Sequence, residues 1–555
     1  MRNLDNVKKL RLLDRDIALL TQQVSSEGRY EGAVFAPSES NKKRVEAEQK
    51  AILKRIDAVD TSDPVAKLLA EHFKGYIEAG KAGLETYFES PGRAFNWLSE
   101  SMLKTVGGDY RPEKERAEVF EAKMQSADIL WHDGILPVIK DLPSVKLQQV
   151  LKGLEHAIEL IDYTKPKIKD RFGTLPASQL NKLFTGLDTY AEKINSYIAD
   201  TKKVFDEKGS VPKTEALADS DVVQITHEEY KRTLENTIGV KLDEILSWHE
   251  EENAKTRAEA LEIARKIDIP EAKSVRTMKD VSDILWKYAG PCDSPEEMFR
   301  RVNLYLKRAR SAAHDYIWLP ENEICECVNV PEQLKDSYPW GGYSSDWPSR
   351  YPLYNVMFLN DYNYTAVTDG WIKINALHEA YPGHHCQFVR AMIDPIPETF
   401  KKGIKHIPFI EGVCIRTERV FEHVFPEDPF YPLMVAHRRH HTSTRIKIDL
   451  MLHYFGKTIG DACDLYEKEM GFNRKTARAQ VQAHENMTGY FTGYYYGMKK
   501  ITDWEKEFGW DKRDYTELLF SVGRISMDTL RNILELSDQG RHSLLHDYSS
   551  MLQFV

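Results

Sequence analysis

Apolar residues recur at helical spacing along most of this chain. The run 40–58 (NKKRVEAEQKAILKRIDAV) joins strong helix formers to apolar positions three and four apart. Segments near 65–88, 112–140, 144–163, 185–207, 226–267 and 294–314 repeat the pattern. Turn signals separate them at Pro91-Gly92, Gly107-Gly108, Gly173 to Pro176, Gly209 to Pro212 and Gly290-Pro291. From about 315 to 370 the character changes. Trp318, Pro320, Pro331, Pro339, Gly341, Gly342, Pro348 and Pro352 punctuate two short apolar pieces, ICECVNV and YNVMFLN, that read as strands. Beyond Gly370 helical periodicity returns in WIKINALHEAY, 398–424, 430–455, 474–506 and 526–537. The pattern predicts a mainly α protein with a helical N-terminal lobe over 1–314. A second region over 315–555 opens with a small strand-bearing insert (about 315–370), and the two are expected to interlock around one cleft.

Composition narrows the function. With 555 residues the chain can build a large core, and 42% hydrophobic with 29% charged residues is globular. A net charge of −10 and the lack of a Lys/Arg block argue against a nucleic-acid partner. No run of about 18 apolar residues predicts a membrane span. The mixed-charge N-terminus has no signal-peptide core, so a cytoplasmic location is expected. The six scattered cysteines read as reduced thiols, and Cys325-x-Cys327 alone is a weak metal signal.

The most informative stretch is His378-Glu379-Ala380-Tyr381-Pro382-Gly383-His384-His385, three imidazoles and a carboxylate in eight residues. These are zinc ligand types, with a spare carboxylate for hydrolysis. In an unbroken helix His384 would lie roughly 9 Å along the axis from His378, too far to share an ion. Pro382 cannot donate a backbone hydrogen bond and crowds the His378 carbonyl, and Gly383 adds freedom. Either the helix breaks there and returns a histidine to His378, or there is no metal. His384 and His385 are both open as the returning ligand.

A third ligand is expected from the following helix. Glu411, 33 residues after His378, follows the apolar run His406 to Ile410 and reads as buried. Glu418, two turns on, could orient a ligand from behind. Arg445, Asp449 and His453 form an i, i+4, i+8 polar stripe in an otherwise apolar helix. Its plain reading is a structural Arg–Asp pair; its functional one lets Arg445 hold a substrate carboxylate and puts His453 near the metal. His437 to His441 reads as a solvated basic face. His484 to Gly497 carries glycines four apart (Gly489, Gly493, Gly497) for close helix approach, with tyrosines between.

HEAYPGHHCQ resembles the signature of a bacterial family known as domain of unknown function number 885. Glu411-Gly412 with Glu418 resembles its Glu-Gly-Trp-Ala-Leu-Tyr-x-Glu element, with Val413, Cys414 and Arg416 at the Trp, Ala and Tyr places. Arg445, Asp449 and His453 resemble its Arg-x-x-x-Asp-x-x-x-His helix. Thr488 to Gly497 resembles its Pro-Gly-Gln-Ala-x-x-Tyr-x-x-Gly element, with Thr488 and Tyr490 for Pro and Gln. The family is similar to gluzincin metallopeptidases such as thimet oligopeptidase and angiotensin-converting enzyme. The resemblance implies a large helical zincin-like fold with the insert beside the active site. It implies His378, His384 (or His385) and Glu411 as metal ligands, Glu379 as general base and Tyr494 as oxyanion donor.

The expected activity is zinc-dependent hydrolysis of short peptides with one ion, though nitrogen and oxygen ligands also suit other divalent metals. His453 joins Glu379 and Tyr494 among the catalytic candidates. Arg445, Tyr490 and His484 are expected at the substrate, with Glu418 and Asp449 behind the ligands. A strand from 351–360 is expected to pair with an extended peptide by edge addition. A zinc hydrolase of a non-peptide amide or small metabolite, and a metal-free binding protein of the same fold, are the alternatives. The expected partner is a small peptide or amide, with neither nucleic acid nor membrane.

Overall fold

In a computed structural model of the chain, residues 4–24, 35–107, 111–212, 217–330, 335, 341–344 and 353–548 are described. Gly108 of one expected turn, and Pro331, Pro339, Pro348 and Pro352 of the insert, lie outside them. The chain divides into two compact units, Met1–Ser62 with Leu69–Ala216, and Asp63–Leu68 with Leu217–Val555. The expected boundary at 314 therefore falls about a hundred residues late. Helices within 217–313 are amphipathic like those before them, so periodicity alone does not reveal which core they join.

The first unit is all helix among its described residues. Its helices Arg93–Gly107, Glu113–Ile129, Ser144–Thr164 and Ala177–Glu207 bury Phe95, Leu98, Phe120, Trp131, Leu154 and Leu187 in one core. Each such side chain contributes about 1.5–3 kcal/mol by leaving water.

The second unit carries α1 (Leu242–Lys266), α2 (Pro295–Ala313), β1 (Ile324–Asn329), β2 (Gly341–Ser344), β3 (Tyr354–Leu359), α3 (Asp369–Asn375), α4 (His384–Ile393), α5 (Ile407–Val420), α6 (Tyr431–His453), α7 (Ile459–Met470), α8 (Arg474–Asn486) and α9 (Thr492–Glu507). The fold is mainly α with a small strand insert, as expected. Both predicted strands form, and β2 is an addition that its glycines concealed.

The sheet order is β1-β3-β2, with β1 parallel and β2 antiparallel to β3. The 351–360 strand expected to offer an edge is thus the central one. Its hydrogen-bonding groups face β1 on one side and β2 on the other. Val356, Met357 and Leu359 are buried, which suits β3 to the middle of the sheet.

Three runs expected as single helices are divided. The breaks fall at Gly239, Gly403 and Gly489, all at positive φ, where an L side chain is costly. The last break separates α8 from α9 and frees Gly489–Phe491 to form the turn that feeds the site. Helices α5 and α9 pack with their backbones nearly touching. A Cβ on Gly497 would lie 1.6 Å from the Pro408 carbonyl oxygen, and one on Gly412 would lie 2.4 Å from the Gly497 carbonyl carbon. The glycine spacing seen in the sequence thus sets α5, with Glu411, directly against the tyrosines of α9.

Candidate metal centre

The helix α3 starts from a cap, with the Thr368 side chain accepting from the Trp371 amide. It does not end at Asn375. A widened turn continues over Ala376–Ala380, in which the Tyr381 amide donates to the Ala376 carbonyl five residues back (3.0 Å). Pro382 and Gly383 then redirect the chain, and α4 begins at His384. A Cβ on Gly383 would lie 1.9 Å from the His378 carbonyl oxygen, so this return is open only to glycine. The rings of His378 and His384 end 5.0 Å apart and perpendicular.

Glu411 of α5 meets both rings. Its Oε2 lies 3.3 Å from His378 Nε2 and 3.4 Å from His384 Nε2. Ligands about 2.0–2.1 Å from a tetrahedral ion stand roughly 3.3–3.4 Å apart, so these separations match a tetrahedron's edges. That oxygen is buried and makes no hydrogen bond among the described residues. The donor set therefore fits a zinc ion. Glu379 brings a carboxylate oxygen to the same place: one ligand atom each from His378, Glu379 and His384 lie within 4.8 Å of one another. Glu411 is buried and stands 3.3 and 3.4 Å from the two nitrogens, while Glu379 is half-buried and borders the cage.

The far sides of the two rings are held. His378 Nδ1 pairs with Glu418 Oε1 (2.8 Å), and His384 Nδ1 with Gln387 Oε1 (3.0 Å). With Nδ1–H donating to each oxygen, both Nε2 lone pairs face inward. Cys414 Sγ lies 3.5 Å from His384 Nδ1, behind that ring. Tyr490 donates to Glu411 Oε1 (2.9 Å) and leaves Oε2 free; Tyr494 donates to the Tyr490 hydroxyl (3.4 Å). The Tyr494 ring lies parallel to His378, 6.3 Å away.

Burial opposes charge on His378, but the nearby carboxylates of Glu411 and Glu418 outweigh it and raise its pKa to about 9. His384 is also raised, its burial outweighed by Glu411. Burial likewise opposes charge on Glu411, yet His384 and His378 pull it well below the usual carboxylate range. The cage is an environment that retains positive charge, whether proton or cation.

His385 points elsewhere. Its Nε2 pairs with Glu323, which also accepts from Tyr381 (2.8 Å) and Arg310, and its Nδ1 meets Asn355 (3.0 Å). One residue along α4 turns a side chain by about 100°, which takes His385 off the face that His384 presents to the cage.

The stripe on α6 is not an Arg–Asp pair. Asp449 accepts from Tyr230 (2.8 Å), His484 Nδ1 (3.0 Å) and the Gly489 amide (3.3 Å). His484 Nε2 meets Tyr466 (2.9 Å), so both its nitrogens are taken. His453 meets the Asp449 carbonyl (3.0 Å) and Thr488 (3.4 Å) and stacks on Tyr230. Neither histidine contacts the cage among the described residues. Asp449 reaches it indirectly, by pinning the turn before Tyr490. Arg445 instead lies over the rings of Phe491 (4.6 Å) and Tyr494 (5.5 Å).

The basic run 437–441 is not a solvated face. His440 is fully buried between Thr256 (3.1 Å) and the Glu469 carbonyl (3.1 Å), and Arg438 Nε lies 3.6 Å from Glu418. Contacts to α1 and α5 override what the charge pattern suggests. Gln387, Glu323 and Asn355 have no role in the sequence reading, where Cys414 enters only as a family departure and Arg438 only as part of the basic run. Gln387 alone had a local signal, one turn after His384 on the same helix face.

The family described as "Bacterial protein of unknown function (DUF885)" matches residues 22–534. No curated protein matches the chain. Among solved structures, a candidate lipoprotein from Colwellia psychrerythraea is similar at a TM-score of 0.75 and 17% identity, over 97% of this chain and 99% of that one. A candidate lipoprotein of unknown function from Shewanella oneidensis is similar at 0.74 and 14% identity, over 94% and 98%. At these identities the likeness carries the fold alone. Among the described residues no helix is long and apolar enough to cross a membrane.

Proposed function

The chain belongs to the DUF885 family of bacterial proteins of unknown function, and from the geometry of its site we propose that it is a zinc-dependent hydrolase of short peptides. The observation that carries this reading is the Glu411 oxygen, buried, without a hydrogen bond and set at tetrahedral-edge distances from two imidazole nitrogens. His378, His384 and Glu411 would hold the ion. Zinc there would supply Lewis acidity, polarising a carbonyl and acidifying water.

The surrounding residues have matching tasks. Glu379 borders the cage without being needed as a ligand, and its carboxylate takes a proton from water and returns it to the leaving amine. Tyr494, on giving up its long contact to the Tyr490 hydroxyl (3.4 Å), would donate its hydrogen bond to the developing oxyanion. Glu418 and Gln387 hold the ligand rings in their tautomer. Tyr343 of β2 sets its ring 6.0 Å from His384. Among the described residues β2 pairs only with β3, and its other edge is the one suited to an extended peptide. Among the family departures, Arg416 pairs with Glu505 (2.8 Å) and Thr516 (3.0 Å), on partners remote from the cage residues.

The test is digestion of a mixed peptide library by the zinc-loaded full chain, with and without chelator, beside Glu379→Gln. Cleavage that chelator stops, and that is lost in Glu379→Gln while its zinc is kept, supports the reading. A library left intact by the loaded wild type while a small amide is hydrolysed would move the assignment to a non-peptide substrate.

A further inference from the structure

Among the described residues the buried arginines of this unit have carboxylate partners, with the exception of Arg445, which lies against Tyr494. Arg390 pairs with Asp394 (2.8 Å) and Glu517 (2.9 Å), and Arg416 holds Glu505 through two nitrogens. Arg445 is 8% exposed, yet no carboxylate pairs with it among the described residues. Its Nε has no hydrogen-bond partner among the described residues, one terminal nitrogen meets the Gln480 amide oxygen at 3.4 Å, and the Tyr466 hydroxyl lies beside the guanidinium, so its hydrogen-bonding neighbours are neutral. Asp449, one turn along α6, is the natural counter-ion, but it is committed to Tyr230, His484 and Gly489. A guanidinium taken out of water without an anion is costly, and its planar fork suits a carboxylate.

Its position says which anion. The guanidinium lies against the Tyr494 ring (5.5 Å), whose parallel neighbour is His378 (6.3 Å). One aromatic ring separates it from the cage. At about 3.3–3.6 Å per extended residue, one or two residues together with the carboxylate's own contact distance to the guanidinium span these two separations.

We propose that Arg445 receives the terminal carboxylate of the substrate, so that the chain removes one or two residues from the C-terminal end of a short peptide. The cleavage polarity rests on the hydrolase reading above; the carboxylate site itself does not.

Two measurements keep them apart. The first is calorimetric titration of the chelator-stripped full chain with 3-phenylpropanoate and, separately, 3-phenylpropanamide. The carboxylate is expected to bind at least about tenfold tighter than the amide. Arg445→Gln should abolish that preference and Arg445→Lys keep part of it, since lysine retains the charge without the fork. Equal binding of the two ligands, or an unchanged preference in Arg445→Gln, overturns the site. Should Arg445→Gln fail to fold, Arg445→Lys and the ligand comparison in wild type still decide.

The second is kcat/KM of the zinc-loaded chain on a peptide with a free C-terminus against the same peptide amidated. Preference for the free acid in wild type, lost in Arg445→Gln, supports the polarity. Equal cleavage of both overturns it while leaving the hydrolase intact. Carboxylate binding through Arg445 with no peptide turned over would support the anion site and overturn the hydrolase reading and, with it, the polarity.

Discussion

Two buried histidine clusters lie in the second unit, and they differ in one respect. Around Asp449, the nitrogens of His484 and His453 and both carboxylate oxygens have protein partners. Around Glu411, two Nε2 atoms and Oε2 converge without hydrogen bonds. Burial and residue type are alike in both. What distinguishes a candidate centre from a structural network is the lone pairs left facing one another. The clusters are also joined, because Asp449 holds the Gly489 amide and the next residue, Tyr490, orients Glu411.

Breaking the Glu411 cluster should cost function, and breaking the Asp449 cluster should cost stability. Glu411→Ala is expected to have the largest effect, with zinc no longer retained and turnover below detection; metal analysis beside an activity assay checks it. Glu379→Gln should lower kcat by about 10²–10⁴-fold with zinc still bound, the range for loss of a general base. Glu418→Gln, which weakens the hold on His378, should reduce zinc affinity by about 10–100-fold in a competition titration. His484→Phe should lower unfolding stability by about 1–3 kcal/mol in denaturant melts, because it leaves Asp449 and Tyr466 each short of a partner. Its zinc affinity should change less than that of Glu418→Gln. If His484→Phe lost zinc as severely, the division between the two clusters would not stand.

Much of the candidate centre was legible locally. His378, Glu379 and the Pro382-Gly383 interruption are adjacent, and the interruption announced that the helix had to open. Glu411 and Glu418 were legible because carboxylates seven apart after an apolar run share a buried helix face. The choice of His384 over His385 was not, since it turns on Glu323 and Asn355, contributed by residues far away in the chain. The fate of Arg445 was equally hidden. Its i+4 spacing to Asp449 suggests a pair, and only tertiary partners reveal that Asp449 is taken. The mistaken edge strand has a similar cause, because β2 is four residues containing two glycines and carries almost no strand signal.

The central claim is that His378, His384 and Glu411 share one ion. X-ray absorption at the zinc edge of the loaded full chain tests it most directly. The account predicts one zinc per chain in a shell of nitrogen and oxygen at about 2.0–2.1 Å, with the scattering of two imidazoles. A sulfur at about 2.3 Å, which would bring in Cys414, or zinc uptake unaltered in a His384→Ala, Glu411→Ala double variant, would contradict it.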